Sequence, residues 1–249
     1  MKVIRQHLVE INQNLEVWKR KRLLRALYGE FYQRITALVR EDLPGCVVEI
    51  GSGIGNLQSV LPGAIRTDLF PNPWLDLVCD GYELPFRDGT ISNLVLFDVF
   101  HHLECPMAFL REARRALALE GRLIIFEPFI SLTSYIAYGL FHHEPLGMGC
   151  KINPSSAPPQ PRHYYAAQGN ATRLFFRAEP GDLLTGWHCF HREAFSAFSY
   201  LLSGGYSKPA LYPESCLGCL RGLDRFLSQW PRAFGARCLV GLQNLPRER

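Results

Sequence analysis

The feature that most constrains the fold is a regular alternation of short apolar runs with polar stretches, which begins directly after Pro44-Gly45. Runs of this length and composition are typical of strands buried on both faces of a sheet. Five of them follow one another, at residues 47–50, 64–67, 75–79, 94–97 and 123–126. Such alternation predicts an α/β fold, in which a mostly parallel sheet is wound with crossover helices.

The rest of the chain is organised around this core. Residues 1–43 carry helical periodicity with mixed charge and are predicted to form an N-terminal helical segment. Residues 44–249 are predicted to form one domain, with two further strands at 187–195 and 237–242. A cap insert is expected at about 129–185 and a helical insert at about 200–235. At 249 residues, of which 47% are hydrophobic, the chain can bury one sizeable core without metals or disulfides.

The charge balance argues against nucleic acid as a partner. The net charge of +4 comes from 27 basic and 23 acidic residues, which are interspersed except for the basic run 19–22. That run is interpreted as a solvated helix face, with an anionic contact as the alternative. The apolar run 123–141 contains Glu127 and Pro128, so it predicts a buried strand followed by an apolar cap rather than a transmembrane helix.

Cysteine usage indicates a reducing compartment. The chain has eight cysteines and no apolar N-terminal stretch with a cleavage site, so free thiols and a cytoplasmic location are expected. Cys216 and Cys219 form a C-x-x-C, but no second pair or suitably spaced histidine follows, and packing is favoured over a zinc site. The eight histidines and Glu144 could in principle form a metal site, but no H-x-x-x-H or H-E-x-x-H pattern is present, so no metal is predicted.

A glycine-rich segment directly follows the first predicted strand. Gly51, Gly53 and Gly55 alternate with other residues, which lets the backbone turn sharply and approach a ligand closely. A dinucleotide-binding fingerprint would place its third glycine at Asn56, so an NAD-dependent oxidoreductase is disfavoured. Glu49 precedes the glycines at a position where no pyrophosphate has to be held. It can contact a ligand ammonium group directly or through water.

Carboxylates end the next three predicted strands. Asp68 closes the second strand, where a carboxylate can accept hydrogen bonds from both hydroxyls of a ribose. Asp80 closes the third and can accept from an adenine amino group, or cap the following turn instead. Asp98 closes the fourth. The carboxyl ends of parallel strands are where open α/β sheets bind ligands, so these side chains predict one shared site.

These motifs resemble the class I S-adenosylmethionine-dependent methyltransferases, and most closely the ubiquinone and menaquinone methyltransferase branch. The resemblance covers roughly residues 44–128 and rests on segments 48–56, 80–89, 97–103 and 121–128 together with Asp68. It implies a Rossmann-like class I methyltransferase fold of seven strands with helices on both faces. It also implies S-adenosylmethionine as the cofactor.

The resemblance assigns parts of the cofactor to particular residues. Glu49 and the three glycines would surround the methionine portion, Asp68 would hold the ribose, and Asp80 with Gly81 would meet the adenine. The full set of predicted cofactor-binding residues is Glu49, Gly51, Ser52, Gly53, Gly55, Asn56, Asp68, Leu69, Asp80, Gly81, Phe97 and Asp98.

Histidines supply the candidate proton acceptors. His142 and His143 lie in the aromatic cap, where one of them can take a hydroxyl proton as the methyl group arrives, or both can be structural. His101 and His102 follow the fourth strand directly, so at least one is expected to face the cofactor cleft. The predicted catalytic residues are therefore His142, His143 and His101.

The predicted function is methyl transfer to a small or lipid-linked, partly apolar acceptor, with O-methylation favoured over N- or C-methylation. The alternative is a non-catalytic, methyltransferase-like binding module that docks on a partner or membrane surface. Segments 123–141 and 195–206 motivate the alternative, because both would be exposed apolar patches if nothing covered them. The intact glycines and carboxylates argue for the enzyme, with peripheral membrane contact as an added expectation. No feature indicates an oligomeric state.

Overall fold

A seven-stranded sheet forms the centre of the computed structural model, which describes residues 2–141, 144–160, 164–177 and 181–246. The sheet order is β3-β2-β1-β4-β5-β7-β6, and β7 runs antiparallel to both of its neighbours while all other pairings are parallel. This arrangement confirms the predicted Rossmann-like class I methyltransferase fold. The strands are β1 (Cys46–Ile50), β2 (Ile65–Asp68), β3 (Leu77–Val78), β4 (Ile91–Phe97), β5 (Leu117–Pro128), β6 (Trp187–Phe195) and β7 (Arg237–Asn244).

Seven α-helices surround this sheet in the described part of the chain. Shorter 3-10 turns lie at Asn56–Ser59, Phe100–His102, Gly181–Leu184 and Glu214–Cys216, and a π-helical turn lies at Thr172–Arg177. The helices are α1 (Lys2–Arg20), α2 (Arg22–Thr36), α3 (Pro106–Ala116), α4 (Leu132–Phe141), α5 (Phe198–Ser203), α6 (Leu217–Leu227) and α7 (Pro231–Phe234).

The expectation of a crossover helix after each early strand is wrong for most of them. Only α3, between β4 and β5, is an α-helix at such a position. The link from β1 to β2 holds a single 3-10 turn, because Pro62-Gly63 ends the segment before an α-helix can form. The predicted strand 75–79 is only two residues long, since the Asp76 carboxylate accepts the backbone N–H of Arg66 at 2.9 Å just before β3 begins.

The helices before the first strand share the core of the sheet. Tyr28 and Phe31 of α2 pack against Phe97 of β4 and Phe126 of β5, and the last two rings stack at 4.9 Å. This aromatic layer covers one face, while α3 and the π-helical turn cover the other. The division of the chain into domains at residue 43 stays a prediction.

The apolar run 123–141 divides as expected into a buried strand and a cap helix. Glu127 and Pro128 end β5, and α4 begins four residues later. None of the described helices is long and apolar enough to cross a membrane. All eight cysteines are free thiols, but Cys216 and Cys219 are exposed, so the expectation that they pack inside is wrong. They lie at the surface where α6 begins, and Leu217 between them supplies the buried contact with Leu23 and Leu27.

Candidate functional site

One cavity of about 890 Å³ opens at the carboxyl edge of the sheet. The glycine segment after β1 and the end of β4 form one side, and α1 and α2 close it from the N-terminal part of the chain. The cap contributes α4 and the segment around Glu144, while α5 and the following loop complete the wall. The predicted ligand edge and the predicted cap therefore enclose a single space.

The glycine segment has the conformation that its residues predict. Gly51, Gly53 and Gly55 all have positive φ, at 69°, 53° and 72°. A Cβ at Gly51 would lie 2.4 Å from Cγ2 of Val99, so only glycine fits there. A Cβ at Gly53 would meet nothing within 4 Å. The backbone at Gly53 is thus open toward the cavity that it lines.

Glu49 is the acid that this loop presents to the cavity. Its side chain is 4% exposed, and its Oε2 has no hydrogen-bond partner among the described residues. Burial raises the pKa of Glu49 to about 8, with Asp68 adding to the rise and Ser52 opposing it. A buried carboxylate oxygen with no protein partner fits the ammonium group of S-adenosylmethionine, which would supply both the hydrogen bond and the opposite charge.

Asp68 and Asp80 stand at the expected strand ends but outside the lining of this cavity. The buried carboxylate of Asp68 accepts the backbone N–H groups of Gly53 and Phe70, both at 3.3 Å, and so ties the glycine segment to β2. Asp80 accepts the N–H of Tyr82 at 2.9 Å, which is the turn-capping geometry weighed as its alternative. Their predicted roles toward ribose and adenine, with Gly81 and Leu69, stay predictions.

The end of β4 is held by a charge pair. Asp98 has a left-handed backbone with φ of 56° and accepts a hydrogen bond from the guanidinium of Arg237. Arg237 is 2% exposed and lies over the ring of Tyr200, 4.4 Å from its centroid. The pairing of Arg237 with Asp98 could not be predicted from the sequence, because a lone arginine at the start of β7 carries no signal of its distant partner.

A buried carboxylate orients His101. Glu127 accepts the backbone N–H groups of Val99 and Phe100 at 2.7 and 2.5 Å, and His101 Nδ1 lies 2.6 Å from its Oε2. Nδ1 therefore donates to Glu127, which leaves Nε2 directed at Glu144, 3.6 Å from its Oε2. Burial lowers the pKa of His101, but the charge and hydrogen bond of Glu127 outweigh burial and raise it above its ordinary value.

His102 and Glu144 complete a cluster beside His101. His102 Nδ1 donates to the carbonyl oxygen of Tyr165 at 2.9 Å, and its Nε2 lies 3.9 Å from Oε1 of Glu144. Burial and the neighbouring His101 lower the pKa of His102 to about 4. The Glu144 carboxylate also accepts hydrogen bonds from Tyr164 and Gln168.

Only part of this cluster could be predicted from the sequence. His101 and His102 line the cavity, as expected. His142 and His143 lie outside the described residues, so their role stays a prediction. Glu144 and Gln168 also line the cavity; the sequence offered Glu144 together with the histidines as a possible metal site, but it carried no signal for Gln168.

Comparison with known proteins agrees with this geometry. Residues 48–125, just under a third of the chain, match the family model described as a methyltransferase domain. No curated protein matches the chain.

Solved structures are similar in fold. One is from the complex of the Haloferax volcanii Trm112 methyltransferase activator with its methyltransferase, at 16% identity, TM-score 0.52, and 96% of this chain and 95% of that chain covered. A second is an S-adenosylmethionine-dependent methyltransferase of Archaeoglobus fulgidus, at 14% identity, TM-score 0.52 and coverage of 88% and 94%. A third, from Thermotoga maritima, has 16% identity, TM-score 0.50 and coverage of 94% and 98%. At these identities the likeness concerns the fold.

The family match falls on the glycine segment and the strand ends that line or border the cavity. The sheet order fits the same fold, and one of the similar structures covers 96% of this chain. Residues 48–125 are thus similar to a methyltransferase domain, the sheet has the class I methyltransferase fold, and together they imply S-adenosylmethionine as the cofactor.

Proposed function

We propose that the protein transfers the methyl group of S-adenosylmethionine to an oxygen of a small or lipid-linked, partly apolar acceptor. The observation that carries the proposal is the single cavity of about 890 Å³, which joins the glycine segment to the aromatic cap. This volume is near the upper end of ordinary small-molecule sites, about 300–1,000 Å³, and so suits a cofactor together with a modest acceptor. An acceptor of the ubiquinone and menaquinone precursor type belongs to this class.

The cofactor side of the cavity consists of the glycine segment and Glu49. The cofactor, when bound, supplies a methyl group made electrophilic by its sulfonium. Glu49 would accept the hydrogen bond of the ammonium group, and the open backbone at Gly53 would let the cofactor approach. Asp68, which holds the same segment, is proposed to accept from the ribose hydroxyls.

The acceptor side is largely aromatic. Rings contributed by α2, α4, α5 and the loop after α5 line it, namely those of Tyr28, Tyr32, Tyr138, Phe198, Tyr200 and Tyr206. Such walls favour an apolar acceptor and a nearby cation, and they support transfer by close approach in a dry site. His101 lies in this wall with a fixed ring orientation, and we assign it a role toward the acceptor oxygen.

Calorimetry and a methyl-transfer assay test the proposal. We expect the protein to bind S-adenosylhomocysteine, the demethylated product, with micromolar affinity and to show no response to NAD. Radiolabelled methyl transfer to a panel of hydroxylated apolar compounds should exceed transfer to amines of matched shape. Saturable NAD binding without S-adenosylhomocysteine binding would overturn the assignment, and preferred transfer to the amines would overturn O-methylation.

One observation favours the second candidate, a docking role. The outer face of α4 exposes Leu132, Tyr135, Ile136 and Leu140 without a charged residue among them. By contrast, segment 195–206 is mostly covered, with Phe195 at 4% exposure, so the patch expected there does not form. Co-sedimentation with anionic liposomes tests this role. Membrane binding together with failure to bind S-adenosylhomocysteine would favour the docking module over the enzyme.

A further inference from the structure

Three side chains at the wall of the cavity present their donor atoms to a common point. Donor atoms of His101, His102 and Glu144 all lie within 4.8 Å of one another. The two imidazole nitrogens are Nε2 atoms, 3.6 and 3.9 Å from the two oxygens of the same carboxylate. These separations exceed the 2.7–3.2 Å of an ordinary N–H···O hydrogen bond. The atoms therefore face one another without a hydrogen bond between them.

The spacing is near that of ligands around one ion. Two atoms that each bind a zinc ion at about 2.0–2.1 Å lie about 3.3–3.6 Å apart for bond angles between tetrahedral and trigonal. The shorter of the two separations already falls at the edge of this range. The longer one closes with a small rotation of the His102 ring, whose side chain is the most accessible of the three.

The surroundings of each side chain are those of metal ligands. A ligating histidine normally donates its other ring N–H to a carboxylate or a backbone carbonyl, which orients the ring and keeps the ligating nitrogen unprotonated. His101 donates to Glu127, and His102 donates to the carbonyl of Tyr165. The carboxylate of Glu144 is likewise held, by Tyr164 and Gln168.

We propose that His101 Nε2, His102 Nε2 and the Glu144 carboxylate bind one divalent transition-metal ion, with Zn²⁺ the best match to two imidazoles and one carboxylate. All three residues line the cavity, so a remaining position on the ion would face the acceptor. The proposal reverses the expectation of no metal. That expectation relied on local spacing patterns, whereas here adjacent histidines of a 3-10 turn meet an acid from the cap.

The role of the ion rests on the proposed function. An acceptor hydroxyl bound at the open position would lose its proton to water more readily than a free hydroxyl. Its oxygen would then form the bond to the methyl carbon as the carbon–sulfur bond breaks, and the sulfur would keep the electron pair. His101 would thus act as a ligand of the ion and would not itself accept the proton.

Titration with Co²⁺ tests the site in the absence of cofactor and acceptor. The full chain is first stripped with a chelator, and Cys216→Ser with Cys219→Ser removes the exposed thiol pair that would compete for the ion. We expect one equivalent of Co²⁺ to bind, with visible absorption of nitrogen and oxygen ligation and no thiolate charge-transfer band. Zn²⁺ should displace it.

Matched variants assign the ligands. His102→Gln and Glu144→Gln should each weaken Co²⁺ binding by at least about tenfold, since even indirect partners of ligands contribute that much. His188→Gln, an exposed histidine of β6, should leave binding unchanged. Absence of saturable binding, or binding that survives both site variants, would overturn the metal site.

Control measurements distinguish a failure of the metal site from a failure of the proposed function. Circular dichroism confirms that the variants fold, and calorimetry with S-adenosylhomocysteine reports the cofactor site separately. Retained cofactor binding without Co²⁺ binding would remove the metal and keep the proposed function. Co²⁺ binding without cofactor binding would keep the metal site and remove the proposed function. Loss of Co²⁺ binding in the cysteine variant alone would place the ion at the thiols and likewise overturn the site.

Discussion

The buried acid Glu49 makes cofactor binding depend on pH in a calculable way. With a pKa of about 8, only a few per cent of Glu49 is ionised at about pH 6.5, and about nine-tenths at about pH 9. The α-amino group of S-adenosylhomocysteine lies next to a free carboxylate, so it keeps its proton to higher pH than the terminal amine of a peptide, whose pKa is about 7.8. The ionised fraction of Glu49 therefore limits the ion pair, and it rises about 30-fold between about pH 6.5 and pH 9.

Glu49→Gln should abolish this rise in affinity with pH. Glutamine has the size of the neutral acid but cannot ionise. A charge-assisted hydrogen bond contributes about 1.5–3 kcal/mol, or about 10- to 150-fold in affinity for a fully ionised pair. Because only about half of Glu49 is ionised near pH 8, the net loss there should be about 5- to 75-fold. At low pH the two proteins should converge.

Calorimetric titration with S-adenosylhomocysteine between about pH 6.5 and 9 measures both profiles. This probe keeps the ammonium group and lacks the sulfonium charge. Glu193→Gln, the same substitution at a part-exposed acid of β6 that pairs with Arg34, is the control and should bind as the wild type. A flat wild-type profile, or one that Glu49→Gln retains, would refute the contact between Glu49 and the ammonium group.

Three other perturbations have defined outcomes. The folded-state pKa of Glu49 is raised, so its contribution to the free energy of unfolding is fully present below about pH 4.5 and is lost as pH rises to about 8. The free energy of unfolding of Glu49→Gln, measured in urea, should therefore exceed that of the wild type by up to about 4 kcal/mol near pH 8. Equal stabilities at that pH would contradict the raised pKa. Asp68→Ala should weaken S-adenosylhomocysteine binding at least about tenfold by calorimetry, and an unchanged affinity would move the ribose elsewhere. Asp98→Ala should cost about 3–5 kcal/mol in urea unfolding, because it leaves the buried charge of Arg237 unpaired; a loss under about 1 kcal/mol would show that water or another group compensates.

The sheet, the glycine segment and the acids at the strand ends could all be predicted from the sequence. These are local features: a strand shows itself by four to nine consecutive residues, and the positive φ angles of Gly51, Gly53 and Gly55 belong to a turn within one short segment. The prediction failed for the helix expected after β1 and for the length of the strand expected at 75–79. Pro62-Gly63 prevented a crossover helix, and the carboxylate of Asp76 bound backbone next to β3.

The full set of side chains that share the cavity depends on contacts between segments that lie far apart in the sequence. Arg237 pairs with Asp98 across a sequence separation of 139 residues, and Glu144 reaches the histidine pair from the cap. Nothing local distinguishes these residues, because each has an ordinary place in its own segment. Their partners depend on where the chain returns after β5 and at the start of β7, and on the need to pair charges that packing removes from water.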